Sequence, residues 1–267
     1  MFFKLIIGCT ILFGSLLSNA QVEKMAVIEG GEYIPLYGRD SARIKVDEFA
    51  MDIYPVTNGE YLKFIKKNPE WQRSKIKALF ADGNYLRHWK NDLELGKKEL
   101  VEGPVTNVSW FAAKKYCECQ GKRLPTLDEW EYVAMADETL PDARIKDTYN
   151  EFILGWYEKP QSFNQEVGST FRNYWGVYDM HGMVWEWTLD FNSVLITGES
   201  RRDVDKDTNL FCGSAAIGSS DLMNYAAFMR YAFRGSIKGN FAIRNLGFRC
   251  AQDIEPFRKN KLANENF

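Results

Sequence analysis

Two carboxylates lie in an aromatic-rich stretch, residues 179–190, which reads Asp-Met-His-Gly-Met-Val-Trp-Glu-Trp-Thr-Leu-Asp. Glu186 is flanked by two tryptophans, so the pattern predicts that large apolar side chains surround this acid. A buried carboxylate needs a cation, a metal ion or several N–H donors, because leaving it unpaired is costly. Asp179 and Gly182 would complete a loop of hard oxygen ligands of the kind that calcium prefers. The alternative is a core strand in which Glu186 forms a salt bridge, and the spacing alone does not decide between the two.

The segments that would position these acids contain clear helix-start signals. Thr57–Glu60 and Thr126–Glu129 each form a capping box, in which a threonine and a following glutamate satisfy each other's backbone N–H groups. Ser109 can cap a further helix, and Gly121 is placed to end it. The sequence therefore predicts three short helices that begin at these residues.

Elsewhere the pattern favours short strands and long loops. Apolar runs broken by glycines predict strands within residues 24–53, and residues 245–251 predict a last strand. Residues 67–103 are polar and charged, which predicts a surface excursion with one helix at about residues 72–80. Residues 191–209 are polar and predict a loop. The fold class expected from these elements is α+β, in one loop-rich domain.

The composition excludes several classes of function. The chain has 267 residues, of which 45% are hydrophobic and 15% aromatic, and this suits one sizeable core. The net charge is −2, and acids are interspersed among the lysines, so no basic stripe is available for a nucleic-acid partner. Beyond the first 20 residues, no stretch is apolar enough to be a transmembrane segment of the mature chain.

The first 20 residues have the layout of a secretory signal. A positive residue precedes an apolar run, and Ala20 ends a small-residue cleavage site. Cys9, as a lipidation site, would leave an apolar region too short for export. The sequence therefore predicts a signal peptide at residues 1–20, a single domain at residues 21–267, and an exported protein, either periplasmic or secreted.

Export would leave four cysteines, and an even count in an oxidising compartment favours disulfides. Cys117 and Cys119 lie two apart on a predicted helix, so their side chains point in different directions. Neither a mutual bond nor a shared metal is expected for them. The other two are Cys212 and Cys250, and the three pairings that four cysteines allow are not resolved by spacing.

Four blocks of the sequence together resemble one family. They are YPVTNGEY at 54–61, PVTNVSWFAAKKYCECQGKRLPTLDEWEYVA at 104–134, YDMHGMVWEWT at 178–188 and NLGFRCA at 245–251. In these blocks the chain is similar to the formylglycine-generating enzyme, or sulfatase-modifying factor, domain, and the resemblance spans roughly residues 25–253. The resemblance implies a compact, loop-rich single domain, a variant of the C-type lectin fold.

The resemblance also implies a calcium site. Carried over residue by residue, one calcium site of the family falls on Asp179 and Glu186 through their side chains and on Gly182 and Val184 through their main-chain carbonyls. Met183 replaces a residue that is usually Asn in the family, which removes no carboxylate. The pattern of the family's other calcium loop is not found between about residues 145 and 170.

The resemblance implies a disulfide between Cys117 and Cys250, which leaves Cys119 and Cys212 free or paired. Oxidising members of the family hold copper with two cysteines that follow a Gly-Gly-Ser turn, because soft thiolates suit Cu(I). Here the turn is Cys-Gly-Ser, ending at Ser214, and residues 215–234 contain no cysteine. Copper is therefore not expected, and a structural calcium ion is the cofactor that the resemblance predicts.

The family's substrate groove corresponds to four candidate residues here: Trp185, Ser214, Arg234 and Asn245. Each also has a plain structural explanation, as a core side chain, a turn residue or a member of an ion pair. Ala242 stands where catalytic members carry a small hydroxyl. His88 and His181 lack the spacing of a two-histidine iron site, and a lone loop histidine is more often a hydrogen-bonding residue.

Three functions remain open. The first is a binding, accessory or scaffold protein of the bacterial envelope, a pseudoenzyme whose partner is another envelope protein or peptide. Proteins associated with nitrite reductases and gliding or secretion lipoproteins are relatives of this kind. The second is an active metal-dependent oxidoreductase that modifies a protein cysteine or another substrate, with Cys119 and Cys212 meeting in space. The third is a calcium-dependent ligand-binding module. The missing cysteine pair favours the first.

Overall fold

Short strands are spread through the described part of the chain, which the computed structural model gives as residues 24–35, 42–159, 162–192 and 222–265. In chain order they are β1 (Met25–Ile28), β2 (Gly31–Tyr33), β3 (Ile44–Val46), β4 (Phe49–Asp52), β5 (Trp185–Glu186), β6 (Leu246–Gly247) and β7 (Ala251–Asp253). Strand β4 is the centre of an antiparallel sheet, with β1 on one side and β7 on the other. Strand β2 pairs with β3, and β5 pairs with β6 in parallel.

Helices lie between and after these strands. They are α1 (Asn58–Lys67), α2 (Trp110–Cys119), α3 (Leu127–Ala134), α4 (Tyr149–Tyr157), α5 (Leu222–Ser236) and α6 (Ile254–Glu265), with 3-10 turns at Pro69–Trp71, Ala143–Ile145 and Ser162–Asn164. None of the helices within the described ranges is long and apolar enough to cross a membrane. The α+β class predicted from the sequence, with short helices and strands in one loop-rich chain, is confirmed.

The predicted helix starts are confirmed by their capping bonds. Thr57 Oγ1 accepts from the N–H of Glu60, whose carboxylate accepts from the N–H of Thr57. Thr126 and Glu129 exchange the same pair of bonds at the start of α3. Ser109 Oγ accepts from the third residue of α2, and Gly121 follows this helix with a φ of 68°. These local bonds fix where the three helices begin, because each satisfies N–H groups that the helix leaves unpaired.

The main core is built largely from aromatic rings. Tyr61 lies in the middle of it and contacts Trp89, Tyr116 and Phe248 with ring centroids 5.7–6.3 Å apart. A second cluster lies between α3 and the three-stranded sheet and includes Trp130. Aromatic side chains each bury a large area, which explains how such short elements are stabilised.

One disulfide ties α2 to the segment before β7. Cys117 and Cys250 are bonded, with their Cα atoms 5.6 Å apart, as the family resemblance implies. Both residues are completely buried in the main core. The bond closes a loop of 133 residues, so it constrains the unfolded chain strongly.

The sequence predictions were wrong in three segments. Residues 72–80 form separate turns and not a helix, and Arg73 anchors them by donating to the carbonyls of Leu86 and Trp89. Residues 245–251 are not one strand, because a break separates β6 from β7. No element was predicted after residue 251, whereas the chain after β7 forms helix α6.

Several predicted features lie outside the described residues. They are the signal peptide at residues 1–20, most of the loop at residues 191–209, Cys212 and Ser214.

Candidate functional site

Two neighbouring residues of helix α3, Trp130 and Glu131, take part in two different ion clusters. Successive residues of an α-helix are rotated by about 100°, so the two side chains diverge. The start of α3 is held firmly, because Arg123 donates two hydrogen bonds of 2.7 Å to Glu129 in its capping box. Helix α3 is therefore a rigid support for the groups around both side chains.

On the side of Trp130, Glu186 forms a fully buried ion pair. The parallel pairing of β5 with β6 brings Arg249 alongside it, and both side chains are 0% exposed. Arg249 Nε donates to Oε2 and Nη2 donates to Oε1, each at 2.8 Å. Trp130 Nε1 adds a hydrogen bond of 2.8 Å to Oε2. These contacts are those expected from the alternative in which Glu186 forms a salt bridge in the core.

Asp179 is also buried, and its carboxylate is bound by the protein backbone. Its two oxygens accept from the N–H groups of Gly168 and Thr170, and its own N–H donates to Thr170 Oγ1 at 3.1 Å. Asp179 has a φ of 61°, and Gly182 follows with a φ of 86°. A Cβ on Gly182 would lie 2.7 Å from the ring of Trp156, so the turn requires glycine for both reasons.

The carboxylates predicted to bind calcium already accept hydrogen bonds from the protein. Calcium takes six to eight oxygen ligands around a common point. Here both oxygens of Asp179 and both oxygens of Glu186 accept hydrogen bonds from N–H donors of the protein. Among the described residues, no group of three or more His, Cys, Asp and Glu side chains is placed to hold a metal ion. Both carboxylates are therefore already bound by donors of the protein, and calcium at Asp179, Gly182, Val184 and Glu186 stays a prediction.

His181, in the same loop, is a buried hydrogen-bonding residue. Its Nε2 lies 2.7 Å from the carbonyl oxygen of Ala134, which can only accept, so Nε2 carries the proton. Nδ1 therefore accepts from the hydroxyl of Tyr157 at 2.9 Å, and that hydroxyl accepts from Arg230. Burial and the charge of Arg230 lower the pKa of His181 to about 3, so this histidine is neutral near pH 7.

On the side of Glu131, one carboxylate is shared by two arginines of α5. Arg230 Nη2 and Arg234 Nη1 each donate to Glu131 at 2.6 Å, and Arg230 Nε adds a bond of 2.9 Å. Burial alone would raise the pKa of Glu131, but the two guanidinium groups outweigh it and lower the pKa to about 2. Arg234 also lies over the ring of Trp130, 4.8 Å from its centroid. Helix α5 is thus bound to α3 through a buried cluster that contains more positive than negative charge.

A pocket opens between these two ion clusters, with a volume of about 140 Å³. Three of the four candidate groove residues, Trp185, Arg234 and Asn245, line it, whereas Ser214 lies outside the described residues. The ring of Trp185 stacks on Phe233 at 4.9 Å and lies 5.5 Å from the ring of Tyr157. The remaining described lining consists of Trp130, Trp156, Tyr157, Lys159, Phe163, Met180, Gly182, Met183, Val184 and Glu186.

The other candidate residues lie elsewhere. None of the described residues that line the pocket is a cysteine, and Cys119 is exposed at the end of α2. His88 is half-buried beside Glu99, and desolvation together with Arg244 lowers its pKa to about 4, so it is neutral near pH 7. Ala242 is buried, and its carbonyl accepts from Asn107.

Sequence reasoning missed Glu131, Arg230 and the aromatic wall supplied by α4. One signal was available, because Arg230 and Arg234 are spaced four apart within an otherwise apolar run. Residues with this spacing lie on one face of a helix, so two arginines on such a face indicate a buried acidic partner. No comparable signal marks α4, since its first turn has no side-chain cap.

Comparison with known proteins shows the family to which the chain belongs. The chain matches the family described as the sulfatase-modifying factor enzyme 1-like domain over residues 13–254, and it belongs to this family. It is similar to inactive C-alpha-formylglycine-generating enzyme 2 of Bos taurus, with 28% identity in an alignment 284 residues long, which covers 88% of this chain and 90% of that protein. The family inferred from the four sequence blocks is thereby confirmed.

The chain is also similar to a further named protein and to a solved structure. The formylglycine-generating enzyme of Bos taurus is 28% identical over 261 residues, which cover 80% of this chain and 68% of that protein. Among solved structures, PvdO from Pseudomonas aeruginosa is 19% identical with a TM-score of 0.47, covering 86% of this chain and 94% of that one.

Proposed function

We propose that this chain is a binding member of its family, which holds a segment of another protein in the pocket and does not oxidise cysteine to formylglycine. One observation carries the proposal. Trp185, Arg234 and Asn245 line one pocket, whereas the sequence from 215 to 234 lacks the cysteine pair that would hold copper beside it. A binding surface is retained where the oxidising chemistry has lost its thiolates.

The relatives support this proposal. The chain is 28% identical to a protein of Bos taurus whose name describes it as inactive, and the alignment covers 88% of this chain. The chain is also 28% identical to the formylglycine-generating enzyme of the same organism. Sequence identity alone therefore does not show whether the chain resembles the enzyme or the inactive protein more. The decisive feature is the residue set around the pocket.

The proposed setting is the bacterial envelope, where the chain would act as an accessory or scaffold protein. The predicted signal peptide and a buried disulfide support export, since disulfides persist in oxidising compartments. The proposed partner is another envelope protein, which offers an exposed peptide segment to the pocket. The pocket volume of about 140 Å³ suits one side chain better than a drug-sized molecule, which needs about 300 Å³ or more.

The test is an assay for formylglycine. The purified mature chain is incubated with copper, oxygen and a cysteine-containing sulfatase peptide, and the aldehyde is measured by mass spectrometry. An active formylglycine-generating enzyme serves as the positive control. We expect no aldehyde above a no-protein blank, and copper-dependent conversion of the peptide would overturn the proposal.

A further inference from the structure

The cluster around Glu131 has an excess positive charge. Within the described part of the chain, Glu131 is the acid that pairs with both Arg230 and Arg234, so one carboxylate faces two guanidinium groups. Arginine keeps its charge in proteins, so this cluster carries about one net positive charge. Side-chain exposures of 8% for Arg230 and 5% for Arg234 place that charge largely out of water. An uncompensated buried charge is costly and favours an anionic partner.

The excess charge reaches the pocket through Arg234. This arginine lines the pocket, whereas Arg230 lies behind it and donates three hydrogen bonds to Glu131. Within the described residues, Arg234 gives a single hydrogen bond to Glu131, so its fork of donors is not saturated by that acid. Lys159 adds a second cation to the lining and lies over the ring of Trp156.

The acid that lines the pocket does not cancel this charge. Glu186 is held by Arg249, and neither side chain is exposed. The pair is balanced, so its field at the pocket is that of a neutral group. The described lining is therefore positive overall, from Arg234 and Lys159.

The walls and the volume define what kind of anion fits. Trp156, Tyr157 and Trp185 give the pocket flat apolar sides. A dry cavity of about 150 Å³ is known to hold one benzene ring, and this pocket measures about 140 Å³. One aromatic or apolar group with a single carboxylate matches both the walls and the charge.

We infer that the pocket binds a carboxylate attached to one aromatic or apolar group, with Arg234 as the counter-ion and Trp185 as a stacking wall. The inference rests on the proposed binding function and names the chemistry of its ligand. A protein can offer such a group as a C-terminal residue, and a small aromatic acid offers it in free form.

The test compares matched charged and neutral probes on the mature chain by calorimetry. The probes are 3-phenylpropionate with its amide, and a tripeptide ending in phenylalanine with a free or an amidated C-terminus. We expect each carboxylate that binds to do so about tenfold or more tightly than its amide, because a charge-assisted hydrogen bond is lost in the amide. The arm that binds more tightly identifies the source of the carboxylate.

Variants assign the effect to residues. Arg234→Gln should abolish the preference for the carboxylate, and Lys159→Gln, at the edge of the pocket, should reduce it by a smaller factor. Trp185→Leu should weaken charged and neutral probes by a similar factor, since it removes stacking and no charge. Circular dichroism identifies any variant that fails to fold, and the Lys159 variant then carries the test.

Three results would overturn the inference: equal binding of acid and amide, an unchanged preference in the Arg234 and Lys159 variants, or no binding of any probe. None of these results would be evidence of oxidase activity. The proposed lack of cysteine oxidation is tested separately, by the formylglycine assay. Conversion of the sulfatase peptide would overturn the proposed function whatever the probes do.

Discussion

Two buried ion clusters lie on either side of Trp130, and they differ by one charge. Glu186 and Arg249 form a balanced pair that is shielded completely from water. Glu131 is shared by Arg230 and Arg234, and Arg234 lines the pocket. The balanced pair has no net charge to attract a ligand. It holds β5 against the segment between β6 and β7. Through Arg234, the unbalanced cluster retains a positive charge in the lining of the pocket.

The largest loss of stability is expected from removing the disulfide. It lies next to the balanced pair, because Cys250 follows Arg249 directly. Replacing Cys117 and Cys250 together with alanine should lower the free energy of unfolding by about 5 kcal/mol, the chain-entropy value for a loop of more than 100 residues. Urea unfolding of the mature chain measures this loss. The control is Cys119→Ser, an exposed free cysteine, which should change stability by less than about 0.5 kcal/mol. Equal losses in the two variants would show that the disulfide does not hold this region.

Removing one member of the balanced pair should have the next largest effect. Arg249→Met leaves the Glu186 carboxylate buried without its cation, and such losses cost about 3–5 kcal/mol. The double variant Arg249→Met with Glu186→Gln should recover part of this loss in the same urea experiment, because no unpaired charge then remains buried. A double variant that is less stable than the single one would contradict a role based on charge pairing.

The sequence predicted those parts of the fold that local chemistry decides. Both capping boxes and the Ser109 cap formed as expected, because their partners lie within three residues. Helix α4 was missed, since its start has no side-chain cap. Residues 72–80 were wrongly predicted as a helix because Arg73 forms bonds with distant carbonyls, which no local pattern reveals.

As with the fold, the sequence predicted the local features of the candidate site but not the contacts between distant segments. The position of Glu186 between two tryptophans indicated a buried acid, but its partner Arg249 lies 63 residues away and is found only when β5 pairs with β6. The family resemblance supplied Trp185, Arg234 and Asn245, which line one pocket. It did not supply Glu131, whose role depends on α5 lying against α3. Charge balance between distant segments is the part that the sequence does not show.

The unbalanced cluster should tolerate the loss of its pocket-facing arginine better than the loss of the other. Arg234→Met removes one charge-assisted hydrogen bond and leaves Glu131 paired with Arg230, so a loss of about 1.5–3 kcal/mol is expected. Arg230→Met removes three bonds to Glu131 and one to Tyr157 and should cost more. Urea unfolding of both variants gives the order. The reverse order would mean that Arg234 is the main structural partner and not the free cation of the pocket.

The smallest expected effect concerns pH and the histidine that borders the unbalanced cluster. Burial and Arg230 lower the pKa of His181 from 6.5 to about 3, so the unfolded chain binds a proton below pH 6.5 that the folded chain does not. Stability from this residue is therefore present above pH 6.5 and is lost as the pH falls toward 3. Between pH 6.5 and 5.5 the loss should be roughly 1 kcal/mol, and His181→Gln should remove that part of the pH dependence. His88→Gln is the matched comparison, since the pKa of His88 is also lowered, to about 4, but by burial and Arg244 and not by Arg230. Because the charge of Arg230 contributes to keeping His181 neutral, Arg230→Met should reduce the pH dependence of stability in a chain that retains His181. The change in stability caused by His88→Gln should be the same with and without Arg230.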